Sequence, residues 1–279
     1  MQKHHDSIPE TVPVFVINLE KNTVRRNNIE NQFARTGLSF EIFPATDGSS
    51  LSKRDLASYD ENHVLHNISR VLSPSEIGCY LSHQKLWQRI VDDNLPWAVV
   101  LEDDVLIQAN LEEILSKIDG IPFKWDLIRL AGLLPTSNFP LYGLTGDYKL
   151  TVPLQGASGT QANCISRTGA QKLLAYSTMI RGTVDDDVID KTWETGLKLF
   201  AVQPYPIRED QEQISSIQEE RKTIFQAYRK NKKNRSIKQN LIRRRYKLRR
   251  SFGKRLNYLG SLFLAIKIKL GLWTHRHNW

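Results

Sequence analysis

Cysteine is scarce in this chain of 279 residues, with only Cys79 and Cys164. Two cysteines exclude a disulfide scaffold and a four-thiolate zinc site, and their simplest reading is a pair of reduced thiols in a cytosolic protein. Long apolar runs are missing as well. The longest uncharged apolar-rich stretch in the C-terminal part covers residues 256–266, whereas a bilayer span takes about 20 residues. The first residues carry His4, His5, Asp6 and Glu10 without an apolar core, so no secretory signal is expected there. Neither G-x-G-x-x-G, a P-loop, G-x-S-x-G nor a His/Cys metal spacing occurs. Those absences argue against a dinucleotide oxidoreductase, a P-loop NTPase and a serine hydrolase.

Acidic residues stop at Glu220. Residues 1–220 hold 20 Lys/Arg and 30 Asp/Glu, and residues 221–279 hold 19 Lys/Arg and no acid, so −10 and +19 give the net +9. An acidic body at 1–220 followed by a basic tail at 221–279 is the division this predicts. Such a tail seeks a polyanion. Within it, Leu259, Phe263, Ile266, Leu270 and Trp273 fall on one helical stripe flanked by Lys267 and Lys269. That is the layout of an interfacial helix on an anionic membrane surface, or of a stripe packed on the body. Interleaved aromatics and nucleic-acid motifs are lacking, so no nucleic-acid partner is expected.

What is present in the body alternates strands and helices. Residues 12–19 are apolar on both faces, as in a buried parallel strand, and a helix over 23–35 and a strand over 38–44 follow. A β-α-β opening predicts an α/β fold with a mostly parallel central sheet. Ser73-Pro74-Ser75-Glu76 is a strong helix start, predicting a helix to about Asp92. Residues 50–70 read as irregular with one short helix, 135–146 as a loop, 185–195 as one helix and 199–202 as the last strand. The tail reads as two helices hinged near Ser251–Gly253, the second reaching about Trp273.

The apolar strand 97–101 ends abruptly in Glu102-Asp103-Asp104. Three adjacent carboxylates at a strand's C-terminal end read either as a solvated turn or as a site for a divalent cation. Carboxylate ligands suit Mg²⁺ or Mn²⁺. Asp185-Asp186-Asp187 read either as acids favouring a helix start or as a general base for an acceptor hydroxyl. Arg25 and Arg26, just after the first strand, read as solvated helix residues or as a phosphate site. His83 on its own reads as structural.

Taken in order, these segments resemble glycosyltransferase family 25, bacterial lipooligosaccharide galactosyl- and glucosyltransferases related to the collagen galactosyltransferases. The resemblance rests on residues 14–19 with Arg25 and Arg26, residues 43–48, 72–83, 100–104 and 159–170, and on Thr183-Val184-Asp185. It implies a GT-A-like fold, a UDP-galactose or UDP-glucose donor, a divalent metal, inversion at the anomeric carbon and a lipid-linked oligosaccharide acceptor. It implies further that Asp103 and Asp104, with Glu102, form the metal and diphosphate motif. Asn18, Arg25 and Arg26 then belong to the nucleotide pocket, Asp47 and His83 line the donor site, and Asp185, Asp186 or Asp187 supplies the base. An enzyme of this kind works in the cytoplasm, peripherally on the inner face of the bacterial inner membrane. Asn163 and Thr183 depart from the family's usual Tyr and Pro, and both lie in the acceptor half.

Overall fold

The computed structural model describes residues 12–108, 111–211, 216–230 and 237–273. The N-terminal stretch read as lacking a signal core, and the part of the basic run at 231–236, lie outside them. The elements in chain order are β1 (Val14–Asn18), α1 (Thr23–Phe33), β2 (Glu41–Pro44), α2 (Lys53–Leu56), α3 (Glu61–Ile68) and α4 (Pro74–Asp92). Next come β3 (Trp97–Glu102), β4 (Val105–Ile107), α5 (Leu111–Asp119), β5 (Leu127–Arg129), β6 (Asn138–Thr145), β7 (Tyr148–Pro153) and β8 (Ala162–Ser166). Last are α6 (Arg167–Tyr176), α7 (Thr192–Thr195), β9 (Leu199–Gln203), β10 (Ile207–Glu209), α8 (Ser216–Lys230) and α9 (Ile237–Lys269).

Eight strands form one sheet in the order β2-β1-β3-β8-β5-β9-β7-β6. The pairings leave only β8 and β7 running against the other six, so the sheet is mixed with one dominant direction. This is an α/β fold, with helices on both faces. Alternation along β1 and β3 builds the two layers: Val14, Val16, Val99 and Leu101 join one apolar cluster, while Phe15, Ile17, Ala98 and Val100 join the other. The first cluster is closed by α1, α5 and Ala265 of α9, the second by α4 and α6. Period-2 alternation with both faces covered is why these strands contain almost no polar residue.

The helix start at Ser73 forms as expected. Ser73 Oγ accepts from Glu76 N at 3.1 Å, and Ser73 N donates to the Glu76 carboxylate at 2.9 Å. Gly48 lets the preceding turn sit against this helix end, since a Cβ there would lie 2.3 Å from Pro74 O.

Several sequence expectations need correction. Residues 138–145, expected within a loop, form β6. Among the described residues it is an edge strand with β7 as its one partner, and it carries register shifts beside Pro140 and Gly143; an edge tolerates the missing proline donor. The helix expected over 185–195 is a π-type turn at Asp185–Ile189 followed by the short α7. Residues 50–70 contain two helices rather than one. The strand at 199–203 is followed by β10, which pairs with β4. No hinge forms at Ser251–Gly253, and α9 runs through it. Gly253 costs about 1 kcal/mol of helix propensity, but tertiary contacts hold the helix on both sides. Arg250 Nη2 donates to Asp186 Oδ2 at 2.7 Å, and Asn257 Nδ2 donates to Asp190 O at 2.6 Å. Trp273 does not share the outer stripe. It packs against the first cluster with Lys198 Nζ 4.7 Å from its ring centroid.

Candidate active site

Two strands end and one helix starts at the same edge of the sheet. β1 delivers Asn18, β3 delivers Glu102 followed by Asp103 and Asp104, and the first turn of α1 delivers Arg25. Arg25 is set by the Asn22 cap, whose side chain accepts from Arg25 N. Its Nη1 donates to Asp103 Oδ1 at 2.9 Å and to Asp104 Oδ2 at 3.1 Å. Asn18 Nδ2 donates to Asp103 Oδ2 at 2.6 Å. Glu102 lies on the other side, where His83 Nε2 is 3.2 Å from its Oε1 and Thr160 Oγ1 donates to the same oxygen.

Burial raises the Asp104 carboxyl to about 7, with Glu102 adding to the effect and Arg25 opposing it. Burial raises Asp103 as well, against the pull of Arg25 and Asn18. Burial works against the charge on Arg25, yet Asp104 and Asp103 outweigh it and raise the guanidinium pKa. One arginine facing three carboxylates leaves the strand end short of positive charge.

The second acidic segment comes to the same edge through residues 158–160. Gly159, at φ +82°, adopts the left-handed backbone that this turn requires. Its N–H donates to Asp185 Oδ2 at 2.7 Å, and its carbonyl accepts from Arg129 Nη1 at 2.7 Å. Arg129 Nη2 in turn donates to Asp190 Oδ1 at 2.5 Å. Burial would raise Asp185, but the Gly159 and Asp186 N–H groups, the Thr183 hydroxyl and Arg129 hold it below the usual range. A cavity of about 350 Å³ lies against Asp185 and Asp186, walled by Leu133, Leu134, Ser158 and three arginines, Arg70, Arg221 and Arg250. The run Glu102–Thr160–Gly159–Asp185 therefore joins the strand end to this cavity.

The strand end fits a hard cation. Asp104 Oδ1 and Asn18 Oδ1 are buried and have no hydrogen-bond partner. An unpaired buried carboxylate oxygen is costly, and a divalent ion bound by carboxylate and amide oxygens would satisfy it. Next to it lies a softer set. The ligand atoms of Cys79, His83 and Glu102 are all within 4.8 Å of one another. Cys79 and His83 lie one turn apart on α4 and Glu102 comes from β3, which is why no sequence spacing announced the set. Burial, with Glu102, Asp185 and Asp104 nearby, raises the Cys79 thiol well above its usual pKa, so it stays protonated without a cation.

The model of glycosyltransferase family 25 (LPS biosynthesis protein) matches residues 11–189, which contain both acidic clusters. The chain belongs to glycosyltransferase family 25. A Drosophila pseudoobscura pseudoobscura protein named as a glycosyltransferase 25 family member is 35% identical over 218 residues, 70% of this chain and 34% of that protein. A Bos taurus protein named as a probable inactive glycosyltransferase 25 family member 3 is 30% identical over 186 residues, 60% of this chain and 29% of its own length. The lipooligosaccharide biosynthesis protein lex-1 of Haemophilus influenzae is 31% identical over 130 residues, 40% of this chain and 43% of its own. The chain thus spans about a third of the length of the first of these relatives.

Within this family 25 chain, Asn18, Arg25, His83, Glu102, Asp103 and Asp104 meet at one edge, and Asp185 and Asp186 line the adjoining cavity. Three other expected site residues are placed differently. Arg26 turns back along α1 and donates to Glu30 Oε1 at 2.9 Å. Asp47 caps the turn at Gly48–Ser50 and pairs with Lys21 Nζ at 2.6 Å. Asp187 is buried among structural partners, accepting from Tyr80 Oη at 3.2 Å, Arg181 N at 3.0 Å and Lys191 Nζ at 2.9 Å. Replacing Asp187 with alanine should therefore lower stability by about 2–4 kcal/mol, whereas Asp186→Ala should leave it within about 0.5 kcal/mol. Paired urea titrations check this. Thr160, Arg129 and the cavity arginines were not anticipated. Thr160 lies within the family-like segment 159–170, but its partner Glu102 is 58 residues away and no spacing links them.

Proposed function

We propose that this chain is an inverting glycosyltransferase that moves a hexose from a UDP-sugar to a lipid-linked oligosaccharide. Galactose is the sugar that the family resemblance puts first, and glucose is the alternative. The observation that carries the reading is the bridge of Thr160 and Gly159, which sets the carboxylates of the strand end beside Asp185 and its cavity. The occurrence of lipooligosaccharide biosynthesis proteins among the relatives supports an acceptor of that class and a place on the inner face of a bacterial inner membrane. A non-catalytic role is the competing reading, since some relatives are named inactive. Against it stand three crowded carboxylates with an unpartnered buried oxygen on Asp104, an arrangement that a bound cation would satisfy.

Asp103 and Asp104 would hold the divalent ion, Mn²⁺ or Mg²⁺. When bound, the ion acts as a Lewis acid on the diphosphate leaving group. Arg25 adds a fixed positive charge beside the same carboxylates, which suits a diphosphate. Asn18, Glu102 and His83 border the donor at the ends of β1 and β3. Asp185 faces the acceptor cavity as a carboxylate at neutral pH and takes the proton from the attacking hydroxyl. The bonds that keep it ionised also make it a weak base, so it takes the proton late, as the acceptor oxygen bonds to the anomeric carbon and the diphosphate departs. Asp186, paired with Arg250, stands at the cavity wall and positions the acceptor.

Calorimetric titration with UDP and Mn²⁺ tests the donor half. Wild type should bind UDP in an Mn²⁺-dependent way, and Asp103→Asn should weaken this at least about tenfold. Cys79→Ser should leave it within about threefold, because the oxygen set rather than the thiol set holds the ion. Equal loss in both variants would move the cation to Cys79, His83 and Glu102. Binding of UDP by neither wild type nor variants would refute the donor assignment.

A further inference from the structure

Along α9 the apolar residues divide into two faces. One face meets the body. Tyr246 packs edge-on to His63, Arg250 reaches Asp186, Asn257 donates to Asp190 O, and Ala265 is fully buried in the core. On the other face Leu241, Leu248, Phe252, Leu259, Phe263 and Leu270 are between 59% and 66% exposed. At 3.6 residues per turn these six fall within an arc of about 60°, along about 44 Å of helix. Arg244, Arg245, Arg249 and Arg255 border the line within about 80° of it, and all four are exposed. Lys267 Nζ lies 4.6 Å from the Phe263 ring centroid, its stem along the apolar surface. A continuous exposed apolar stripe of this length marks a contact surface.

We infer that the outer face of α9 is a docking surface for an anionic phospholipid bilayer, on which the helix lies flat. This rests on the reading of the acceptor as lipid-linked, and names the surface that would bring the enzyme to it. Charge selects the occupant. Residues 221–279 carry 19 Lys/Arg and no acid, so apposing two copies of the stripe brings like charges together, whereas anionic headgroups meet them with the opposite sign. The helix does not enter as a span: among the described residues no helix is long and apolar enough to cross a membrane. A half-exposed stripe with basic borders is the form of an in-plane interfacial helix. Arg250, on the inner face, holds Asp186 at the cavity, so the lipid surface and the cavity lie about one helix diameter apart, ~10 Å.

The test is cosedimentation of the full-length protein with vesicles of phosphatidylcholine alone or with phosphatidylglycerol at two parts in five. Wild type should partition onto the anionic vesicles at least about tenfold more strongly than onto neutral ones, and raised salt should weaken this. The double variant Leu259→Glu, Phe263→Glu should lose at least about tenfold of that binding. Its circular dichroism spectrum and Tm should stay unchanged, since both side chains point away from the body. Undiminished binding of the variant, or equal binding of wild type to both vesicle types, would overturn the proposal. So would a concentration-dependent dimer in sedimentation velocity that the same variant abolishes, which would make a second copy the occupant. UDP release by the variant with a soluble acceptor should match wild type. Vesicle binding by a protein that releases no UDP would leave the surface standing and count against the transfer reading alone.

Discussion

Replacing Asp103 with alanine should cut sugar transfer at least about 10³-fold while the protein stays folded, with Tm within a few degrees of wild type. Asp103 accepts from both Asn18 and Arg25, just past a strand whose last apolar residue, Leu101, lies two positions earlier. Its removal leaves Arg25 its bond to Asp104 Oδ2, so no buried charge is stranded. What is lost is half of the carboxylate pair proposed for the cation, together with the field that holds Arg25 in place. Activity at wild-type level in a folded Asp103→Ala protein would remove the strand end from the chemistry. A parallel loss of fold, seen as a collapsed Tm, would make Asp103 structural instead. Asp103→Asn separates the two, because it keeps the shape and one of the two hydrogen bonds without the charge.

Glu76→Gln should destabilise the fold strongly, by about 3–5 kcal/mol. For a protein of this size that lowers Tm by roughly 10 °C. The Glu76 side chain is 3% exposed, and it accepts from Arg70 Nη1 at 2.5 Å and Nη2 at 2.6 Å. It also accepts from Ser73 N in the cap of α4, and from Arg221 Nη2 at 2.7 Å in α8. One carboxylate thus ties the start of a core helix to the basic segment and to a wall of the cavity beside Asp185. Burial pushes the Glu76 pKa up, but the Arg70 bonds, the Ser73 N–H and the field of Arg221 outweigh it and bring it below the usual value. A folded-state pKa below the unfolded one, near ~4.3, adds stability that is fully present above the unfolded value and fades as pH falls through the folded one. Wild type should therefore lose stability on acidification below about pH 4.5 more steeply than Glu76→Gln. Thermal melts of both proteins from neutral to acid pH read this directly, and parallel curves would count against the linkage.

The sheet core and the acidic strand end were legible in the sequence because each rests on a local pattern. Unbroken apolar runs make β1 and β3, Ser-Pro-Ser-Glu makes the start of α4, and a run that breaks into three carboxylates marks a strand end. What could not be read depends on contacts between distant segments. Asp185 and Asp187 are two residues apart in a run of identical side chains. Only the π-type turn decides that one faces the cavity and the other is buried against Tyr80. Arg25 and Arg26 are adjacent, and the helical rotation between them sends one to Asp103 and the other to Glu30. β6 was missed because its proline and glycine argue for a loop, and only the neighbouring β7 gives it a ladder to join. The hinge at Gly253 was a reading of local propensity, which the contacts of Arg250 and Asn257 override.

Donor turnover tests the central claim most directly. The purified protein is incubated with a panel of UDP-sugars and a soluble oligosaccharide acceptor, with Mn²⁺ or with EDTA, and UDP release is followed. The account predicts release from one UDP-hexose, abolished by EDTA and by Asp103→Ala. Release that persists in EDTA and in that variant, or no release from any donor together with no binding of UDP, would contradict it.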